Sequence, residues 1–165
     1  MVAAIEEVKK VLWDGGHGGK DPGSSGNGVV EKNIALQVAT EAAKRLERDY
    51  EGVQCLLSRS SDVYLSLSER TNKANAAGAH LFISIHCNAG GGAGGFESFT
   101  YIGTKDAATA AFQDVLHAEI MNRLNRSESG TGGRRRRIYM SAGNRSCRPY
   151  SLKICSSMWL LMRPD

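Results

Sequence analysis

The stretch Val8-Lys9-Lys10-Val11-Leu12-Trp13-Asp14-Gly15-Gly16-His17-Gly18-Gly19 changes character at Asp14, and that change frames the whole chain. Its first half is a β-rich run, and its second opens a glycine-rich stretch reaching Gly28, so it reads as a strand delivering a long loop. Working outward, apolar residues from Glu31 to about Tyr50 fall at Ile34, Val38, Ala42 and Leu46. A step of four predicts a helix with that row facing inward and Lys32, Glu41, Lys44 and Arg45 in water. Val53 to Ser58 is a short β-rich run, Ser66 to Ala77 a predicted helix ended by Gly78, and Leu81-Phe82-Ile83-Ser84-Ile85 a buried-strand candidate. Phe96 to Ile102 makes a fourth strand, and Asp106 to Leu124 a helix whose apolar stripe is Phe112, Val115, Leu116, Ile120 and Leu124. Strands alternating with helices in this way predict an α/β fold, a twisted and mostly parallel sheet with helices on both faces.

A chain of 165 residues, 41% hydrophobic and 23% charged, suits one compact domain. A domain of this size buries about 70% of the surface its unfolded chain exposes. No run approaches the roughly 18 apolar residues of a membrane span, and Met1 to Lys10 is charged where a signal peptide is apolar. Neither a span nor an export signal is expected. The cysteines Cys55, Cys87, Cys147 and Cys155 are too few and too irregularly spaced for a disulfide scaffold or a four-cysteine zinc site, so free, mostly buried thiols are expected. The net charge of +4 conceals a division: up to Asn125 there are 12 basic and 15 acidic residues, and from Arg126 onward 9 basic and 2 acidic. The chain therefore divides into a core, 1–125, and an atypical basic tail, 126–165.

In α/β sheets ligands bind where loops leave the carboxyl ends of strands. Two such ends here carry a histidine: His17 in the glycine-rich loop, and His86 in Ser84-Ile85-His86-Cys87-Asn88. Glycines around His17 allow a tight turn and leave the imidazole accessible, and Glu31 at the start of the first long helix can point a carboxylate into the same crevice. Each has an ordinary explanation alone. His17 would be a loop residue, Glu31 a first-turn carboxylate favoured by the helix dipole, and His86 a satisfied histidine at a strand end. Together, two imidazoles and one carboxylate make a catalytic zinc set with an open position for water. His80 and His117 receive no role.

These residues in this order resemble the zinc-dependent N-acetylmuramoyl-L-alanine amidases of the Amidase_3 type. The resemblance rests on Asp14-Gly15-Gly16-His17-Gly18-Gly19-Lys20-Asp21-Pro22-Gly23, Glu31-Lys32, Ser58-Arg59 and Ser84-Ile85-His86-Cys87-Asn88, and covers roughly Val8 to Asn125. That family includes autolysins, sporulation hydrolases and the catalytic domains of phage endolysins. The resemblance implies Zn2+ held by His17, Glu31 and His86, and cleavage of the amide between the lactyl group of muramic acid and L-alanine. It implies Asn88 as a residue shaping the substrate groove, and peptidoglycan, through its muropeptide stem, as the partner; nucleic acid is not expected. The wall would be reached as by an endolysin after host lysis, or by secretion of a longer parent protein. Trp13, Gly15 and Cys87 depart from the residues usual at their positions, and none of them removes a ligand. Two other readings stay open: a catalytically inactive zinc- or wall-binding module, and another zinc hydrolase of small amides or peptides.

The family also uses a late glutamate, after a strand reading Pro-Ala-Val-Leu-x-Glu or similar, to take the water proton and pass it to the leaving nitrogen. No such strand end occurs here. The only glutamate after Glu119 is Glu128, in Arg126-Ser127-Glu128-Ser129-Gly130. One reading of the tail, with its Arg134-Arg135-Arg136-Arg137, is a basic arm that attracts anionic polymers. Another is a frameshift or sequence artefact. Codons for Glu128 to Gly133, chosen GC-rich and read in the frame starting at each third base, spell Val-Arg-Asp-Arg-Gly, and codons for Cys147 to Lys153 can be chosen to spell Pro-Ala-Val-Phe-Thr-Glu. On this reading the last strands are missing or replaced, the tail is poorly ordered and catalysis is impaired, although the zinc ligands remain.

Overall fold

The computed structural model of the chain describes residues 8–26, 28–87, 96–100, 107–126, 135–136 and 150–156. Strand β1 is Lys9–Gly15, followed by the short strands β2, Ser25–Gly26, and β3, Val29–Val30, which pair antiparallel beside the main sheet. Helix α1 is Glu31–Asp49, β4 Val53–Leu57, α2 Leu67–Ala76, β5 Leu81–Cys87, β6 Phe96–Thr100 and α3 Ala107–Arg126. From the tail come β7, Arg135–Arg136, and β8, Tyr150–Ser156. The six-stranded sheet runs β4-β1-β5-β8-β6-β7, parallel throughout except for the β6–β8 pair. The predicted α/β class and mostly parallel sheet are what the chain forms.

Alternation along β1 and β5 divides the core between the two faces. Val11, Ile83 and Ile85 pack with Ala35 and Ala39 of α1, Met121 of α3 and Phe96, while Leu12 and Phe82 turn the other way onto Ala74 of α2. Full burial of a side chain such as Leu12 stabilises the fold by about 1.5–3 kcal/mol.

Both long helices are rotated from the expected orientation. The innermost row of α1 is Glu31, Ala35, Ala39 and Ala43, with Ile34, Val38, Ala42 and Leu46 half-buried along its flanks. A row of methyl groups lets the helix lie close to the sheet, and the larger residues seal its sides. Lys32 is not in water either: its side chain is only 18% exposed, and its Nζ donates to Gly19 O at 3.0 Å and to Asp62 Oδ2 at 2.6 Å. In α3 the buried residues are Thr109, Gln113 and Met121, while Phe112 and Val115 of the expected stripe are 36% and 65% exposed. Gln113 turns inward because its Nε2 donates to the buried Ser98 Oγ at 3.1 Å.

Of the closing strands expected to be missing or replaced, one is present at the backbone, formed by tail residues. β8 lies between β5 and β6, with Leu81 opposite Tyr150 and His86 opposite Cys155. Sheet ladders are made by main-chain N–H and C=O groups that every non-proline residue carries. Tyr150-Ser151-Leu152-Lys153-Ile154 also alternates apolar and polar residues with the period of a strand. Apart from Arg126, β7 and β8, the tail, with Cys147, lies outside the described residues.

Candidate metal centre

β1, α1 and β5 bring the three predicted residues together. His17 comes from the loop after β1, Glu31 is the first residue of α1, and His86 is the penultimate residue of β5. Their facing atoms form a small triangle: His17 Nε2 lies 3.0 Å from Glu31 Oε1, His86 Nδ1 lies 3.0 Å from the same oxygen, and the two nitrogens are 3.1 Å apart. Among the described residues this is the group of histidine and carboxylate side chains whose donor atoms converge closely enough for one metal ion. Tetrahedral zinc with ligands at about 2.0–2.1 Å separates them by about 3.3 Å, so the triangle fits a single small cation after opening by a few tenths of an ångström.

Glu31 is buried yet ionised. Burial pushes its carboxyl upward, but the His86 hydrogen bond, the backbone N–H groups of Ser24 and Cys87 and the nearby His17 outweigh it and hold the pKa at about 2. The Ser24 and Cys87 amides donate at 2.8 and 2.9 Å, which fixes both oxygens. The helix N-terminus adds positive potential at the same point. Cys87 itself is a half-buried free thiol, as is Cys55, and burial followed by the Glu31 charge pushes the Cys87 thiol up, so it stays protonated near neutrality.

Glycine is required where backbone comes closest. A Cβ on Gly16 would sit 2.3 Å from the His86 ring, and one on Gly23, whose φ is +64°, would sit 2.7 Å from both Glu31 Oε2 and the His17 ring. His17 has φ +60° and is the one described non-glycine residue in the left-handed region. Such a conformation costs of order 1–3 kcal/mol and persists only where its surroundings impose it.

Those surroundings are two arginines that sequence patterning alone leaves on the surface. Arg70 of α2 donates through Nη2 to His17 O at 2.6 Å and through Nη1 to Gly15 O at 3.0 Å and Asp14 Oδ1 at 2.7 Å. Arg59 donates through Nε to Gly15 O at 2.7 Å and through Nη2 to Gly16 O at 2.8 Å and Lys32 O at 2.7 Å. Burial lowers the Arg59 pKa, yet a guanidinium stays charged in proteins. Asp14 pairs with Arg70, with Ser58 Oγ donating to its Oδ1 at 2.5 Å and Ser84 Oγ to its Oδ2 at 2.7 Å. The carbonyls of residues 15, 16 and 17 are thus all held, and with them the direction in which His17 leaves the chain. The signal for Arg59 was its place beside Ser58 in the resemblance; Arg70 had none.

Asn88 lies outside the described residues. His80 is structural, its Nδ1 accepting from Lys10 N at 3.0 Å. His117 packs on Phe96 and pairs with Ser98 Oγ at 2.9 Å, on α3. No described helix is long and apolar enough to cross a membrane.

Residues 11–152 match a protein family described as N-acetylmuramoyl-L-alanine amidase, Amidase_3. The chain is 47% identical over 121 residues to the sporulation-specific N-acetylmuramoyl-L-alanine amidase of Bacillus subtilis, covering 73% of this chain and 47% of that protein. It is 43% identical over 121 residues to the endolysin of Bacillus phage SPP1, covering 72% and 44%. It therefore spans under half the length of these relatives. Among solved structures, it is similar to the catalytic domain of the amidase CwlV from Bacillus (Paenibacillus) polymyxa var. colistinus. The TM-score there is 0.74 at 27% identity, with 88% of this chain and 78% of that one covered. An N-acetylmuramoyl-L-alanine amidase from Clostridium difficile 630 gives a TM-score of 0.76 at 26% identity, covering 90% and 78%.

Proposed function

The chain belongs to the N-acetylmuramoyl-L-alanine amidase family, and on that premise we propose that it is the catalytic core of a peptidoglycan hydrolase. It cleaves the amide between muramic acid and L-alanine, with Zn2+ held by His17, Glu31 and His86. The observation that carries this is the triangle of two ring nitrogens and one carboxylate oxygen, its sides 3.0–3.1 Å, at the carboxyl end of the sheet. Two imidazoles and one carboxylate leave a fourth position open, the donor set of a catalytic rather than a structural site. When bound there, zinc acts as a Lewis acid towards the amide carbonyl and lowers the pKa of a water molecule to about 7. Glu31, ionised at neutral pH and fixed by two backbone amides, contributes the negative charge that keeps a divalent cation in place. Asn88, directly after β5, is assigned to the substrate groove. The substrate is the muropeptide stem, met at the wall after host lysis or secretion of a longer parent.

The hydrolysis also needs a group that accepts a proton from water and gives it to the leaving nitrogen. β8, Tyr150–Ser156, occupies the place next to β5 but contains no carboxylate, and the tail's acidic residues are Glu128 and Asp165 alone. We assign the boundary between core and tail to 125/126, one residue before α3 ends, and read 126–165 as out-of-frame sequence that supplies a strand without its glutamate. The family match runs to residue 152, past this boundary, so what supports the reading is the missing carboxylate and not the extent of the match. Sequencing the gene across the codons for Asn125 and Arg126 tests the tail; a confirmed reading in this frame overturns it.

The enzymatic reading is tested by mass spectrometry for zinc on the purified chain, together with release of new amino termini from purified walls. One zinc per chain and amino-terminal L-alanine without new reducing sugars, at a rate far below that of a related amidase, is expected. A folded chain that binds no zinc contradicts the ligand assignment.

A further inference from the structure

The His17 ring has a second nitrogen, and its partner receives no role in anything above. His17 Nδ1 lies 2.9 Å from Asp21 Oδ2, on the side of the ring opposite the Nε2 that faces Glu31 and His86. A carboxylate is an acceptor only, so Asp21 holds a proton on Nδ1 and leaves Nε2 its lone pair for the metal site, in competition with Glu31 Oε1, 3.0 Å from Nε2. The loop is built to hold this pairing. Gly18 N donates to Asp21 O at 2.9 Å and Asp21 N to Gly18 O at 3.1 Å, closing a reciprocal backbone bridge that sets residues 17 and 21 face to face. The other Asp21 oxygen, Oδ1, accepts from Gly23 N at 3.1 Å, so the carboxylate cannot rotate without losing a bond. Asp21 is a partly exposed residue on a loop, and its turn contact with Gly23 N is one that an asparagine would also make.

We propose that Asp21 is the positioning residue of the metal centre, a carboxylate that fixes the tautomer and ring orientation of His17 and thereby sets the affinity for zinc. This deepens the zinc reading above and rests on it. Carboxylates in this outer position raise the basicity of a ligating imidazole, and their loss typically costs about 10–100-fold in metal affinity.

The test is zinc affinity of the full chain, measured by competition with a chromophoric chelator, for wild type, Asp21→Ala, Asp21→Asn and Asp62→Ala. Asp62 is the control for loop packing: it holds the same loop through Gly19 N at 2.8 Å and Lys32 Nζ at 2.6 Å but does not touch His17. The expected result is a loss of about 10–100-fold for Asp21→Ala, a smaller loss for Asp21→Asn, which keeps an acceptor without its charge, and a change below about threefold for Asp62→Ala. Nitrogen-15 spectra of the histidine rings supply a readout that loop stability alone does not move. His17 should be protonated at Nδ1 in the wild type and redistribute between tautomers in Asp21→Ala. Should Asp21→Ala fail to fold, the wild-type spectrum and Asp21→Asn still decide. Wild-type affinity in Asp21→Ala, equal losses in Asp21→Ala and Asp62→Ala, or a wild-type His17 protonated at Nε2 would overturn the proposal. Failure of the zinc reading is distinguishable, because wild type itself would then bind no zinc.

Discussion

The loop after β1 and the strand β8 sit one strand apart in the same sheet and are built on opposite terms. In the loop, side chains do the work: Arg59 and Arg70 hold three successive carbonyls, Asp14 pairs with Arg70, and His17 is kept in a left-handed conformation that it would not adopt unaided. In β8 the main chain pairs with β5 on one side and β6 on the other, whatever residues it carries. A ladder tolerates changes of sequence because its donors and acceptors belong to the backbone. A reaction centre does not, because a missing carboxylate has no backbone substitute. On the proposed reading of the tail, that is how the chain keeps a closing strand without a glutamate at its end.

Substitutions that attack each region on its own terms can break this contrast. The largest effect is expected for Arg70→Ala, which leaves buried Asp14 without its cation and frees the carbonyls of Gly15 and His17. Breaking such a pair costs about 3–5 kcal/mol, measurable by urea denaturation, and zinc binding should weaken with it. In β8, Lys153→Pro removes a backbone N–H from a strand paired on both sides and should cost about 1–3 kcal/mol, whereas Lys153→Thr should stay within about 0.5 kcal/mol. Similar costs for the two would show that the strand depends on its side chains after all. Ser66→Ala removes one half of the capping box with Glu69 at the start of the helix that carries Arg70. A loss of about 1 kcal/mol in thermal denaturation is expected.

Much of this was readable in sequence. The strands that lead to His17 and His86, and a helix opening on Glu31, are signalled by residue type and local periodicity, and the structure brings those three side chains together. Two kinds of information were hidden. Alanines score weakly as core residues, so the inner row of α1 was assigned to its larger neighbours, and in α3 the polar Thr109 and Gln113 displaced Phe112 and Val115 from the buried side. The arginine clamp joins residues 43 to 56 positions apart, and no local pattern distinguishes a long charged side chain that seeks carbonyls from one that seeks water. The smallest effect in the series follows from this: Val115→Ser, at a position 65% exposed, should change stability by less than about 0.5 kcal/mol. A loss of several kcal/mol there would restore the apolar stripe that the sequence suggested.

The central claim is that the metal centre is complete and the proton-transfer group is absent. Its most direct measurement compares two chains that share residues 1–125, one with the present tail and one with that tail read in the shifted frame, for release of amino-terminal L-alanine from purified walls at equal zinc content. The account predicts one zinc per chain in both and a rate at least about 100-fold higher with the shifted frame, as restoring a general base typically gives. Equal rates in the two chains would contradict it.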